Sequence, residues 1–424
     1  MKFTFTDTCQ LSKNEIGKTA KTLLPYLKHL QLVADKNNYD FAESSINLPF
    51  DEKSVGEIKN LVKKLKTKKL QYIVDIGIGG SNLGTKAVYD TIFGYFDVVQ
   101  PDRYPKMIFL DTNDPEFISR IVMLLKRIKS PEEIVINAIS KSGGTTETLT
   151  NLEIVLASAD KTITNTRLVV TTDKGSKFWN FATEKNIPCL EIPKTVGGRY
   201  SVFSPVGLFP LMMAGLNINN LLAGARSMRN KCLSTSVLAN PAIVSAAILF
   251  LHNTKGINIS DNFFFHPELE SVGKWYRQLM GESLGKDGKG ITPTVSIGST
   301  DLHSVGQLYF GGPKDKITTI IGAPSAETVA VPGNMMFPLV AHVENKKFGV
   351  IMDAIRQGVA ATYNNLKLPY MTIVLDDLSE KSLGEFLQFK MMEMMFLGKL
   401  LGVNTFNQPH VELYKIETKK ILSR

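Results

Sequence analysis

The chain has 424 residues, enough for two or three domains of about 100–200 residues each, and its 43 % hydrophobic and 21 % charged residues lie near the averages for soluble globular chains. That balance excludes disordered and collagen-like classes. The 49 Lys and Arg against 40 Asp and Glu leave a net charge of +9. This excess favours an anionic partner, but no zinc-finger spacing, basic heptad region or aromatic-basic RNA signature gathers it into a nucleic-acid module.

Residues 1–70 read as a helical N-terminal segment: NEIGKTAKTLLPYLKHLQLVAD repeats apolar residues at three-and-four spacing, with an interruption at Pro25. The basic run KKLKTKK (63–69) suits the carboxyl end of a helix. From there short apolar runs alternate with helical stretches: YIVDIGI (72–78), KMIFLDT (106–112), IVINAIS (134–140), TRLVVTTD (166–173) and PCLEIP (188–193). Continuous apolar strands separated by helices mark a parallel sheet covered on both faces, so residues 71–225 are expected to form one α/β domain. The alternation resumes with NFFFH (262–266), PTVSIGS (293–299), TTIIGA (318–323) and YMTIVLDD (370–377), which predicts a second α/β domain over 226–424 ending in a short helix.

The apolar helix near Leu383–Leu401 carries Glu385, Lys390, Glu393 and Lys399, too many charges for a membrane span, and reads as a helix of the core or of a subunit contact. Cys9, Cys189 and Cys232 are too few and too far apart for a disulfide framework or a zinc cluster, which implies a reducing cytosol. The opening MKFTFTDTCQLS lacks a secretory h-region, so a cytoplasmic location is expected.

In an open parallel sheet, ligands bind beyond the carboxyl ends of the strands. Two of the turns there are unusual. SKSGGTTETLT (140–150) sets hydroxyls, glycines and Lys141 at the entrance to a helix, where unpaired N–H groups and the helix dipole also point; a phosphate monoester suits it. GIGGSNLG (77–84) fails the dinucleotide pattern because Asn82 stands where the third glycine is required. What survives is a tight turn in which Gly79, Gly80 and Ser81 either admit a ligand to the backbone or serve structure alone. VGGRYSVFSPVGL (196–208) places Arg199 after two glycines, as a surface ion pair or as a cation beside an anion site. QLMGESLGKDGKG (278–290) puts Glu282 in a glycine-bearing turn, and STDLHSVGQ (299–307) puts His303 after the next strand, so the two are expected to converge at one sheet edge as base and acid. No HExxH, His/Asp cluster or cysteine pair is visible. Metal-free acid–base chemistry on a phosphorylated substrate is the reading of these residues.

Taken together, GIGGSNLG, SKSGGTTE, VGGRYSVFSPVG, GESLGKDGKG, STDLHSVGQ and FNQPHVELYK, spread from residue 77 to 415, resemble the glucose-6-phosphate isomerase family. The resemblance implies two sugar-isomerase (SIS) domains, each a parallel sheet between helices, and a homodimer acting on a hexose 6-phosphate without cofactor, metal, nucleic acid or membrane. It implies that Ser140, Lys141, Ser142 and Thr145 bind the phosphate with Thr148 nearby, and that Gly80, Ser81, Gln278 and Gln408 touch the sugar. Glu282 matches the base that moves a proton between C2 and C1, Arg199 the cation that steadies the cis-enediolate, and His303 and Lys415 the ring-opening pair, with His303 supplied by the partner subunit. Lys415 is expected on a short helix whose first turn holds Pro409. Asn407 and His410 depart from the family's usual Asp and Gly. A sugar-phosphate sensor on the same fold, an amino-sugar synthase or deaminase, and a bifunctional phosphoglucose/phosphomannose isomerase are the competing readings.

Overall fold

The computed structural model describes residues 1–423, apart from the side chain of Pro338. Its strands are β1 (Lys2–Thr4), β2 (Tyr72–Ile76), β3 (Lys106–Leu110), β4 (Ile134–Ile139), β5 (Leu168–Asp173), β6 (Cys189–Ile192), β7 (Ile259–Phe264), β8 (Thr292–Ile297), β9 (Lys316–Gly322) and β10 (Tyr370–Val374). Two compact units divide the chain: unit I comprises Met1–Leu27 with Asn230–Gln408, and unit II comprises Lys28–Arg229 with Pro409–Arg424.

Unit II is built on a five-stranded, wholly parallel sheet in the order β3-β2-β4-β5-β6. Every residue of β4 is buried, as expected of a strand with helices on both faces. Val74, Ile136, Leu152, Val155, Val170 and Phe178 form the core between sheet and helices. The helices start on chemical signals: Asp114 caps Pro115–Leu125 by accepting from Phe117 N, and Ser176 caps Lys177–Glu184 by accepting from Trp179 N. The basic run expected to close a helix does so, with Lys63 and Lys64 in the last turn of Glu52–Leu65. Polar groups also lie inside this sheet. Asp75 is fully buried on β2 and accepts from Asn137 Nδ2 at 2.7 Å on the neighbouring strand; burial pushes its carboxyl up to about 8, against the opposing pull of that hydrogen bond.

Unit I has the sheet order β1-β10-β9-β7-β8, parallel except for β1, which runs antiparallel to β10 with Lys2 opposite Val374 and Thr4 opposite Thr372. The N-terminal segment, expected to be helical, therefore opens with a strand. Three residues have too little length to show a period, and the edge of β10 selects their conformation by offering hydrogen bonds.

The helix Glu380–Leu401 is buried along most of its 22 residues and packs in unit I against Pro241–Thr254 and Glu270–Leu284. Of the charges that argued against a membrane span, Glu385, Lys390 and Glu393 are buried and Lys399 is exposed. Lys390 and Glu393, 1 % and 0 % exposed, pair at 3.1 Å, and Glu393 also accepts from Tyr276 OH at 2.9 Å and from Ser245 Oγ. Lys390 Nζ rests 4.6 Å from the centre of the Tyr276 ring. Among the described residues no helix is long and apolar enough to cross a membrane.

Removing one member of this pair strands the other charge in the core. Glu393→Gln is expected to lower unfolding free energy by about 3–5 kcal/mol, and the double variant Lys390→Met/Glu393→Leu to recover most of the loss, as read from urea unfolding midpoints. Equal losses in the single and double variants would show that the pair itself stabilises the fold.

Candidate active site

Three turns meet at the carboxyl end of the unit II sheet. After β2 the chain enters a short 3-10 turn, Gly79–Ser81, with Gly79 at φ +60°. A second 3-10 turn, Gly198–Tyr200, lies directly against it. A Cβ on Gly80 would stand 2.6 Å from both Gly198 Cα and Arg199 N, so only glycine permits this approach. Ser201 Oγ ties the two turns by donating to Gly80 O at 3.2 Å and to Gly198 O at 2.7 Å. Arg199 is 2 % exposed, which removes the surface ion-pair alternative. Asn82, buried behind the first turn, has no hydrogen-bond partner for either side-chain atom among the described residues.

The turn after β4 carries the hydroxyls. Ser140 is buried; its Oγ lies 3.0 Å from Thr145 Oγ1 and accepts from Thr145 N at 3.4 Å. Gly143 adopts φ +68°, and a Cβ there would meet Phe178 Cβ at 2.9 Å. Thr145 is the N-cap of Thr146–Ser158, yet its hydroxyl makes no capping bond, so the simple capping explanation for these residues does not hold. Thr148 Oγ1 is buried and without a partner among the described residues. Ser142 is exposed at the rim. Lys141 is half-buried and donates to Lys194 O at 2.7 Å, which links this turn to the loop leading into Gly197, Gly198 and Arg199. Burial pushes its ammonium down, with Asp173 opposing and the Arg199 charge adding to the effect. Asp173, which the sequence reading passed over, closes β5 beside Lys141; burial pushes its carboxyl up to about 6. Its signal was the segment TTDKGS, a polar turn after an apolar strand like the two already noted.

Ser140, Lys141, Ser142 and Thr145 thus share one turn, with Thr148 in the first turn of the helix that follows, and Gly80, Ser81 and Arg199 lie on the adjoining pair. Hydroxyls, a helix start, a lysine and a buried guanidinium gathered at the carboxyl end of one sheet form a candidate site whose chemistry suits an anion. Lys415 also belongs to unit II, on the helix Val411–Leu422, where its Nζ pairs with Glu412 at 2.7 Å. Pro409 precedes the N-cap His410 and so stands outside the first turn where it was expected. His410 has φ −70°, open to any residue, so this helix start needs no glycine.

Unit I holds Gln278, Glu282, His303 and, at its end, the exposed Gln408. Glu282, expected in a turn, lies in the last turn of the helix Glu270–Leu284; Leu279, Met280, Ser283 and Leu284 are buried around it and carry the helix through its glycines. Gln278 Nε2 donates to Glu282 Oε1 at 3.0 Å. His303 is exposed and follows the short turn Thr300–Leu302.

Glu282 and His303 do not converge as expected. A Cβ on Gly273 would meet Phe264 at 3.0 Å, so the helix begins beside the carboxyl end of β7. Nine residues later, about 13 Å along the axis at 1.5 Å per residue, Glu282 has reached the amino end of the sheet. There β8 begins, with Thr292 N donating to Asn258 O at 2.8 Å. His303 follows the opposite, carboxyl end of β8, where Asp301 accepts from Ile297 N at 2.7 Å. The helix return of a parallel crossover imposes this separation. Among the described residues no group of three or more His, Cys, Asp or Glu stands where it could hold a metal ion.

The Phosphoglucose isomerase family model matches residues 54–317. Glucose-6-phosphate isomerase of Methanocaldococcus jannaschii is 35 % identical over 401 residues, spanning 92 % of this chain and 94 % of that one. Glucose-6-phosphate isomerase of Carboxydothermus hydrogenoformans is 35 % identical over 399 residues, spanning 89 % and 84 %. Among solved structures, a hypothetical protein from Thermus thermophilus superposes with a TM-score of 0.86 at 28 % identity over 100 % of both chains. A glucose-6-phosphate isomerase from Chlamydia trachomatis shares the fold, with a TM-score of 0.75 at 20 % identity over 90 % of this chain and 75 % of that one. With its two parallel-sheet units and a family match that runs from within the helix Glu52–Leu65 to the start of β9, the chain belongs to the phosphoglucose isomerase family.

Proposed function

We propose that the protein interconverts glucose 6-phosphate and fructose 6-phosphate, in glycolysis and gluconeogenesis, by proton transfer through a cis-enediolate. The observation that carries this reading is the buried Arg199 held against Gly80 and linked through Lys194 to a hydroxyl-lined turn. A hydrogen next to a carbonyl is too weakly acidic to leave unless the oxyanion it creates is stabilised, so a carboxylate base works with a fixed cation. Glu282 takes the base role, with Gln278 orienting its carboxylate. Arg199 takes the cation role, which removes the need for a metal. C1 and C2 exchange roles in the reaction, so one base returns the proton it removes.

Ser140, Lys141, Ser142 and Thr145 grip the phosphate. Thr148, whose buried hydroxyl has no partner among the described residues, is the further donor this reading assigns to the phosphate. Binding a remote anionic group orients the reacting carbons and lowers the barrier through lost freedom already supplied by binding. Gly80, Ser81, Gln278 and Gln408 line the sugar, and His303 with Lys415 opens the ring. The separation of Glu282 from His303 along the sheet of their own unit supports a homodimer in which His303 serves the partner's site.

Purified protein is expected to convert fructose 6-phosphate in a coupled assay with EDTA present, and Glu282→Gln to lose about three orders of magnitude in kcat with KM little changed. Near-normal turnover of that variant refutes the base assignment, and turnover of mannose 6-phosphate at a similar rate identifies the bifunctional alternative.

Mixing subunits tests the dimer. Glu282→Gln and His303→Ala, each inactive alone, are expected to recover about a quarter of wild-type activity after co-refolding, because half the dimers are mixed and each contains one intact site. No recovery despite mixed dimers places the histidine's action within its own chain.

A further inference from the structure

The helix Glu270–Leu284 stops just beyond Glu282, and the last four carbonyls of any helix lack partners within it. Here all four are taken. Gly285 N donates to Gly281 O at 3.0 Å and Lys286 N to Leu284 O at 2.8 Å. The remaining two accept from one side chain: Lys286 Nζ lies 2.6 Å from Glu282 O and 2.8 Å from Ser283 O. Lys286 is 6 % exposed, although Gly285 and Asp287 on either side of it are exposed.

The lysine is aimed by a tight reversal. Asp287 and Gly288 have φ of +54° and +69°, and Lys286 and Lys289 exchange main-chain hydrogen bonds at 3.2 and 2.8 Å, the geometry of a two-residue hairpin turn. The other lysine of the turn treats a second helix in the same way: Lys289 Nζ donates at 2.8 Å to the carbonyl of Leu401, the last residue of Glu380–Leu401. One turn therefore sets an ammonium group on the carboxyl ends of two helices of unit I.

We propose that Lys286 is a positioning residue for proton transfer, a reading that rests on Glu282 being the base. Lys286 holds the main-chain carbonyl of Glu282 itself, while Gln278 holds its carboxylate from the preceding helical turn. The ammonium also offsets the negative end of the helix dipole that faces a carboxylate there. Without it the last turn loses two carbonyl partners and frays, and a base displaced by about 1 Å loses on the order of a hundredfold in rate.

The test measures kcat and KM for fructose 6-phosphate, with melting temperatures, for the full chain and for Lys286→Met, Lys286→Arg, Lys289→Met and Glu282→Gln. Lys286→Met is expected to lose about 10- to 100-fold in kcat with KM within about twofold, and Lys286→Arg, which keeps donors at the cap, to recover most of it. Lys289→Met strips an equivalent cap from a helix without the base; its melting temperature is expected to fall while kcat stays within about twofold of wild type. The proposal is overturned by wild-type kcat in Lys286→Met beside an inactive Glu282→Gln, or by equal kcat losses in the two lysine-to-methionine variants. Turnover in Glu282→Gln removes the base assignment itself and the positioning role with it. If Lys286→Met does not fold, Lys286→Gln replaces it: an intermediate kcat supports the proposal, and wild-type kcat overturns it.

Discussion

The contact of Gly80 with Gly198 is the constraint on which the unit II site depends. Two main chains at this separation leave no space for a side chain on residue 80, so both turns are fixed relative to each other by excluded volume. That contact buries the Arg199 turn, and the bond from Lys141 to Lys194 O carries the same constraint to the hydroxyl turn after β4. The placement of the Arg199 turn relative to the hydroxyl-lined turn is thereby set by backbone geometry, the preorganisation that the proposed electrostatic role requires. A glycine at position 80 is thus needed by the fold whatever else it touches.

Buried charge is handled in three ways in this chain. Asp75 lies in a sheet interior with a single amide donor, and burial favours its neutral form. Lys390 and Glu393 are enclosed together, and Tyr276 and Ser245 complete the coordination of the carboxylate. Lys286 donates to two main-chain carbonyls, so its positive charge meets the partial negative charge of a helix end. Tyr276, Gln278 and Glu282 share one helix, so the core network and the proposed base are parts of one rigid element.

Much of this was legible in the sequence. β2 to β10 lie within or overlap the apolar runs because strands buried on both faces are mostly apolar, and β4, buried at every position, departs from that only at Asn137. The hydroxyl-lined turn after β4 was legible as a strand-to-helix turn, because hydroxyls, glycines and a lysine cluster between an apolar run and a helical stretch. β1 was not legible, because its conformation is set by β10 some 370 residues away and only three residues take part. The exchange of the two chain ends between units leaves no local mark either. Glu282 read as a turn residue because Gly281 and Gly285 flank it, yet burial of its neighbours and the Lys286 cap sustain the helix. The cap itself was invisible because its acceptors are carbonyls, which every residue possesses.

Proton transfer by a protein base has one direct signature. Fructose 6-phosphate converted by the wild-type protein in D2O with EDTA is expected to give glucose 6-phosphate carrying deuterium at C2 in part of the product, detectable by NMR, because a carboxylate holding the proton exchanges it with solvent before returning it. Complete retention of protium at C2 through many turnovers, as in a direct hydride shift between the carbons, contradicts the enediolate route and the roles assigned to Glu282 and Arg199.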